Sequence, residues 1–257
     1  MISTYDYPSA KLAQAAGIDM ILVGDSLGMV ALGYNSTIDV TIDDMIHHGK
    51  AVRRGAKDTF MAVDMPFMTY HSSVEDTVKQ GAYLFQKTQA NALKLEGFNP
   101  IIEQAIKHMT AGGIPIIGHL GLTPQHINVL SGYKLQAKTK ESIQDIIQNA
   151  KRLEQAGIAC LVLECIPKEV GNFITNQLTI PTISIGAGPD CDGQVLVYHD
   201  ILQYGQASFP KFVKNYVNLD HVIEEGLTQY IKEVKASHFP NNDQSYHIED
   251  TSFLPDC

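Results

Sequence analysis

Short apolar runs alternate with helix-patterned stretches along most of the chain, and the apolar runs end on polar or glycine residues. Met20–Val23 leads into Gly24-Asp25-Ser26, Phe60–Val63 into Asp64, and Ala92-Leu93-Lys94-Leu95 into Glu96. Pro115–Gly118 leads into His119, Ala159–Leu163 into Glu164, and Pro181–Ile185 into Gly186-Ala187-Gly188. The stretches between them carry helical spacing, caps and stops: Ser9–Ala16, Thr41–Arg54, Ser73–Lys87, Pro100–Thr110, Ser142–Gln155, Lys168–Gln177 and Leu219–Lys235. Alternation of this kind, repeated about seven or eight times, demands parallel strands joined by helical crossovers. That number of units fits one α/β domain folded as a single (β/α)8 TIM barrel. A doubly wound sheet is the competing architecture. It is weakened because no Gly-x-Gly-x-x-Gly follows the first strand and no Walker-type loop is present. The barrel is assigned to 1–240, and the polar stretch 241–257 to a loose tail.

Composition narrows the function classes. A formal net charge of −9 argues against a general nucleic-acid binder. No apolar stretch approaches the length of a membrane span, and the N-terminus lacks a basic region followed by an apolar one. Cys160, Cys165, Cys191 and Cys257 make no Cys-x-x-Cys pair, so neither a disulfide framework nor a zinc site is expected. A reducing cytoplasm is the default location.

In a barrel the strand C-termini converge on one mouth however far apart they lie in sequence. Asp25, Asp64 and Glu96 are hard oxygen donors at the ends of three strands. An all-oxygen set with room for water and a chelating substrate suits Mg²⁺ better than zinc. Any one of these acids alone reads better as a helix cap or a loop hydrogen-bond acceptor, and only the three together favour a metal. Alternation puts Lys94 and Glu96 on one strand face. A lysine facing a barrel interior needs an anion, which Glu96 or a substrate carboxylate supplies. Glu164 closes an apolar strand. Poor solvation there raises a carboxyl's pKa and suits a general base, although a structural acceptor is an equal reading. His119 reads as a loop organiser outside the reacting set. The Gly186-Ala187-Gly188 turn permits close backbone approach by a ligand, or is merely a tight turn.

Several stretches together resemble the ketopantoate hydroxymethyltransferase (3-methyl-2-oxobutanoate hydroxymethyltransferase) family. They are Val23–Gly28, Ala51–Ala56, Asp64–Phe67, Lys94–Gly97, Gly118–Gln125, Leu161–Pro167, Ile185–Gly188, Asp192–Val197 and Pro210–Asn215. They occur in the family's order between about Thr4 and His247, and the Gly118–Gln125 run and the complete order are the specific elements. The resemblance implies a barrel of the phosphoenolpyruvate/pyruvate superfamily type. It implies transfer of a hydroxymethyl one-carbon unit from 5,10-methylenetetrahydrofolate to 3-methyl-2-oxobutanoate, giving 2-dehydropantoate for pantothenate and coenzyme A. It further implies Mg²⁺ at Asp25, Asp64 and Glu96, oxoacid contacts from Asp25, Ser26, Asp64 and Lys94, and proton acceptance by Glu164. A cytoplasmic homo-oligomer, commonly a decamer, goes with it. Two departures are visible. The chain starts within what resembles the first barrel strand, so the family's usual leading segment is shortened, and Ser131 stands where the family commonly has glycine. A related Mg²⁺-dependent oxoacid lyase or mutase is the alternative enzyme. A non-catalytic oligomeric binding protein derived from the enzyme is the alternative outside catalysis. Retention of Asp25, Asp64, Lys94, Glu96 and Glu164 weighs against the latter.

Overall fold

The structure, a computed structural model, describes residues 1–130, 132–205, 208–250, 252 and 254–255. Ser131 and Cys257, both singled out in the sequence, lie outside the described residues. The strands are β1 (Ile2–Ser3), β2 (Met20–Val23), β3 (Phe60–Asp64), β4 (Ala92–Glu96), β5 (Ile116–Gly121), β6 (Cys160–Glu164), β7 (Thr182–Ile185), β8 (Gly193–Gln194) and β9 (Leu196–Val197). The helices are α1 (Tyr7–Ala15), α2 (Leu27–Val30), α3 (Ile42–Gly55), α4 (Val74–Thr88), α5 (Pro100–Ala111), α6 (Ile127–Leu130), α7 (Lys140–Ala156), α8 (Lys168–Gln177), α9 (Tyr198–Leu202) and α10 (Leu219–Lys235).

All strand pairs are parallel, in the order β8-β7-β6-β5-β4-β3-β2-β1-β9. Only Val195 separates β8, which pairs with β7, from β9, which pairs with β1. One chain segment therefore links the two sheet ends, and the Met1 amino group adds a 3.0 Å hydrogen bond to the Gln194 carbonyl. The sheet closes on itself as the expected barrel, with β8 and β9 acting as its eighth position.

Two apolar layers follow from strand alternation. Leu22, Ala62, Ala92, Ile117, Val162, Ile183 and Val195 form a compact cluster inside the cylinder. Their strand neighbours Ile21, Val23, Met61, Val63, Leu93, Ile116, Leu161 and Leu163 face the surrounding helices. Helix starts follow the capping signals. Thr41 accepts from Asp44 N and completes a capping box for α3, and Ser73 accepts from Asp76 N at α4. The helix expected at Leu219–Lys235 forms as α10, but none of its residues is buried.

The largest departure from the sequence reading is β5. It continues past Gly118 to Gly121, because Gly118, His119, Leu120 and Gly121 pair with Leu161, Val162, Leu163 and Glu164. His119 is thus a strand residue, and pairing with β6 overrides the loop-like composition. The strand ends at Gly121, with φ +98°, where an added Cβ would lie 2.1 Å from the Glu164 carbonyl oxygen. Leu122 N donates to that same oxygen at 2.8 Å. Gly121→Ala must therefore part β5 from β6 at the level of Glu164. The expected outcome is a loss of about 3 kcal/mol of stability, read from the urea unfolding midpoint at constant m-value.

Candidate active site

Inward-facing positions recur every second residue. Two residues beyond the apolar floor, Ala62 leads to Asp64, Ala92 to Lys94, Ile117 to His119 and Val162 to Glu164. A further step on β4 gives Glu96. The floor and the polar ring above it are therefore one pattern read at successive heights.

Register then pairs acid with base. Asp64 lies beside Lys94, and Glu96 beside His119. Lys94 Nζ stands 3.0 Å from Asp64 Oδ1 and 3.6 Å from Glu96 Oε1. His119 Nδ1 is 3.3 Å from Glu96 Oε1, and its Nε2 is 3.1 Å from Glu164 Oε2. Asp25 joins from the end of β2: its backbone N–H donates to Asp64 Oδ2 at 3.1 Å, and its Oδ2 accepts from Gln125 Nε2 at 2.7 Å. Asp25, Asp64, Lys94, Glu96 and His119 are all buried. Glu164 and Ser26 are half-buried at the open side of the ring. All six residues expected at the site are thus brought together.

The electrostatics show a ring short of positive charge. Burial, followed by the Glu96 and Asp64 charges, pushes Asp25 well above the usual carboxylate range. Burial also raises Asp64, although Lys94 opposes it. Burial works against the charged form of Lys94, but Asp64, Glu96 and Asp25 outweigh it and hold the amine protonated. Burial likewise opposes ionisation of Glu96, yet Lys94 and His119 hold it well below the usual range. In His119, burial and Lys94 favour the neutral ring, but Glu164 and Glu96 overcome them and carry it up to about 9.

Among the described residues, no group of three His, Cys, Asp or Glu side chains is arranged to hold a metal ion. Mg²⁺ needs no such cage, since it is commonly held by one or two carboxylates plus water and substrate oxygens. Asp64 Oδ1 faces Lys94 without the alignment of a hydrogen bond and has no other partner. With its charge deficit and its all-oxygen donors, the ring fits a divalent cation.

Some members of the site were missed in the sequence. Gln125 is fully engaged: it donates to Asp25 Oδ2 and to the Met65 carbonyl, accepts from Tyr70 Oη at 2.5 Å, and donates its backbone N–H to Glu96 Oε2. Only its place in the Gly118–Gln125 run marked it. His119 reads from sequence as a loop organiser because its strand reads as ending at Gly118, three residues short of the Gly121 at which β5 ends. Glu164, expected to be poorly solvated at the end of an apolar strand, is half-buried and faces the His119 imidazole. The Gly186–Gly188 turn receives protein side chains, since Cβ atoms there would strike Phe212 at 2.6 Å and Lys168 at 2.4 Å.

Comparison with known proteins shows what the chain is similar to. A family model described as ketopantoate hydroxymethyltransferase matches residues 1–242. A protein of Bacillus pumilus (strain SAFR-032) named 3-methyl-2-oxobutanoate hydroxymethyltransferase is 57% identical over 250 residues, covering 97% of this chain and 89% of its own. One of the same name from Bacillus cereus (strain AH187) is 54% identical over 254 residues, covering 99% and 91%. The fold is similar to that of 2,3-dimethylmalate lyase, described as a PEP mutase/isocitrate lyase superfamily member, with TM-score 0.57, 14% identity and coverage of 96% and 85%. It is also similar to phosphonopyruvate hydrolase solved with oxalate and Mg²⁺, with TM-score 0.59, 10% identity and coverage of 96% and 86%. More than half of the residues match those relatives along almost the whole chain, so the chain belongs to the ketopantoate hydroxymethyltransferase family.

Proposed function

We propose that the chain transfers a one-carbon unit from 5,10-methylenetetrahydrofolate to 3-methyl-2-oxobutanoate, giving 2-dehydropantoate for pantothenate biosynthesis. The observation that carries this reading is the connected row Asp64–Lys94–Glu96–His119–Glu164 at the barrel mouth. It places fixed positive charge at one end and a carboxylate at the more open end. Removing a proton next to a ketone needs both.

Asp25 and Asp64 would hold Mg²⁺, with Glu96 reaching it directly or through water. The ion, when bound, supplies positive charge to the carbonyl and carboxylate oxygens of the oxoacid. Lys94 adds a second, permanent positive charge beside Asp64 and steadies negative charge as it builds on those oxygens. Ser26 donates a hydrogen bond to the oxoacid carboxylate. Glu164 takes the C3 proton, and His119 fixes the orientation of its carboxylate by facing Oε2 with Nε2. The C3 carbon then bonds to the methylene carbon, both bonds from that carbon to the two folate nitrogens break, water supplies the hydroxyl of the product, and the C3 proton and the remaining water proton end on those nitrogens.

The same reading makes the protein a cytoplasmic homo-oligomer, with ten subunits as the family assembly. Among the described residues, no helix is long and apolar enough to cross a membrane. The exposed face of α10, with Val222, Leu227, Tyr230, Ile231 and Val234, supports a covering subunit.

The test is deuterium exchange at C3 of 3-methyl-2-oxobutanoate, followed by NMR with and without Mg²⁺, and then with folate added. Mg²⁺-dependent exchange is expected. A folded, metal-loaded chain that exchanges under neither condition would overturn the reading. Glu164→Gln is expected to retain oxoacid binding while exchange falls by about 100-fold or more; unchanged exchange removes Glu164 from the base role. Asp64→Ala is expected to weaken Mg²⁺-dependent oxoacid binding in a calorimetric titration, and an unaltered titration counts against the site. Lys94→Met leaves buried carboxylates without their counter-charge. The expected cost is about 3 kcal/mol or more in urea unfolding.

A further inference from the structure

Next to the charged ring lies a row of hydroxyls, of which the mechanism above uses only the last, Ser26. Ser3 Oγ donates to Tyr5 Oη at 3.4 Å, and Tyr5 Oη lies 2.8 Å from Ser26 Oγ. Ser3 and Tyr5 are buried, and Ser26 is half-buried at the mouth. Burial pushes the Tyr5 phenol well above its ordinary pKa, so it is a permanent O–H donor. The ring is held in place from two sides. It stacks on His199 at 5.7 Å, and its backbone carbonyl contacts His48 Nδ1 at 2.7 Å. His199 in turn stacks on Tyr204 at 5.0 Å.

A hydroxyl has one proton to give and two lone pairs to accept with. Either hydroxyl can give the proton of the 2.8 Å bond; with Tyr5 Oη already receiving the Ser3 proton, Ser26 Oγ is the acceptor that uses the Tyr5 proton, and the relay takes that direction. Ser26 is then the acceptor in that bond, and its proton is left to point elsewhere. The open direction is the barrel mouth, where Ser26 is half-buried. Gly24 sits where the hydroxyl row meets the charged ring. A Cβ built there would lie 3.0 Å from Ser26 Oγ, 3.0 Å from Ser3 Oγ and 3.5 Å from Asp64 Oδ2. The absence of a side chain at this position lets both serines and Asp64 pack closely around the same stretch of backbone.

We infer that Tyr5 is a positioning residue: it sets the direction of the Ser26 proton, so that Ser26 offers a pre-aimed donor to an anionic oxygen of the bound oxoacid. The inference rests on the oxoacid reading above and deepens it, because it gives the carboxylate-selective contact a mechanism. An unaimed serine loses orientational freedom when substrate binds, whereas an aimed one has already lost it on folding. The relay therefore acts on substrate affinity and leaves proton removal at Glu164 alone.

A double-mutant cycle tests it. KM and kcat are measured for wild type, Tyr5→Phe, Ser26→Ala and the double variant, with saturating Mg²⁺ and folate. Tyr5→Phe keeps the stacked ring and removes one oxygen. It is expected to raise KM for the oxoacid by about 10-fold, the range for a hydrogen bond to a charged group, with kcat changed little. In the Ser26→Ala background, Tyr5→Phe is expected to cost nothing further, because Tyr5 acts only through Ser26. A general structural role would instead lower the double variant by the product of the two single effects, and that result overturns the relay. Ser3→Ala covers the case in which Tyr5→Phe fails to fold: it breaks the first link only, and an unchanged KM there also counts against the inference. A wild-type chain inactive on the oxoacid overturns the underlying reading and the relay with it. An active wild type with multiplicative losses overturns the relay alone.

Discussion

A lysine buried inside a barrel decides what can surround it. Lys94 is 4% exposed, and an unpaired ammonium at that depth would be neutral or would unfold the protein. Its charge persists because Asp64 and Glu96 lie within 3.0 and 3.6 Å of it. Those acids bring their own demand. Glu96 draws in His119 and the backbone N–H of Gln125, and His119 draws in Glu164. Asp25, farther round the ring, is held by Gln125 and by Lys94 at longer range. Each buried charge is tolerable only in company, so five strand ends are bound into one unit. A buried ion network of this sort is weak evidence for stability, since an apolar replacement of similar volume is often as stable. Its value lies in the chemistry it holds ready.

Parallel register is what makes the network possible without a long search through loop conformations. Neighbouring strands put Asp64 beside Lys94 and Glu96 beside His119 at fixed heights. The alternating pattern then carries those residues inward above the apolar floor of Leu22, Ala62, Ala92, Ile117 and Val162. A slip of one residue in any strand would turn its site residue toward the helices and its apolar neighbour into the ring. Core and site are therefore specified by the same register. This explains how Gly121, which touches no substrate, governs the position of Glu164 through a backbone contact.

Much of this was legible in the sequence, for a physical reason. Barrel strands are short, apolar and bounded by Gly or by an acid, so their ends can be located to within a residue or two. Asp25, Asp64, Lys94, Glu96 and Glu164 all sit at such ends. His119 was harder. Gly118 has the look of a terminator, and only pairing with β6 carries the strand on to Gly121. Gln125 was harder still, since its four partners come from the ends of β2, β3 and β4 and from Tyr70, and no local pattern announces a contact 100 residues away. The Gly186–Gly188 turn had the right composition for ligand approach, but the chain fills that space with Phe212 and Lys168. Composition showed that something must come close; only the fold showed what.

The polar groups around the mouth divide by what they can change. Charged groups linked through Lys94 shift together, since moving one proton alters the cost of every other charge in a medium that screens poorly. Neutral hydroxyls such as Tyr5 and Ser26 carry no net charge into that balance, so they can aim a donor without disturbing it. The site thus separates two tasks that would conflict in one set of residues. In the proposed reaction the ring from Asp64 to Glu164 manages charge during proton removal. On the relay proposed for Tyr5 and Ser26, the hydroxyl row beside Gly24 fixes where the substrate sits. The two sets adjoin at the ends of the neighbouring strands β1 to β3, where Asp64 Oδ2 lies close to Gly24 and also accepts from Asp25 N. That shared oxygen is where positioning and charge meet, and it is the point at which a displaced substrate would also lose its activation.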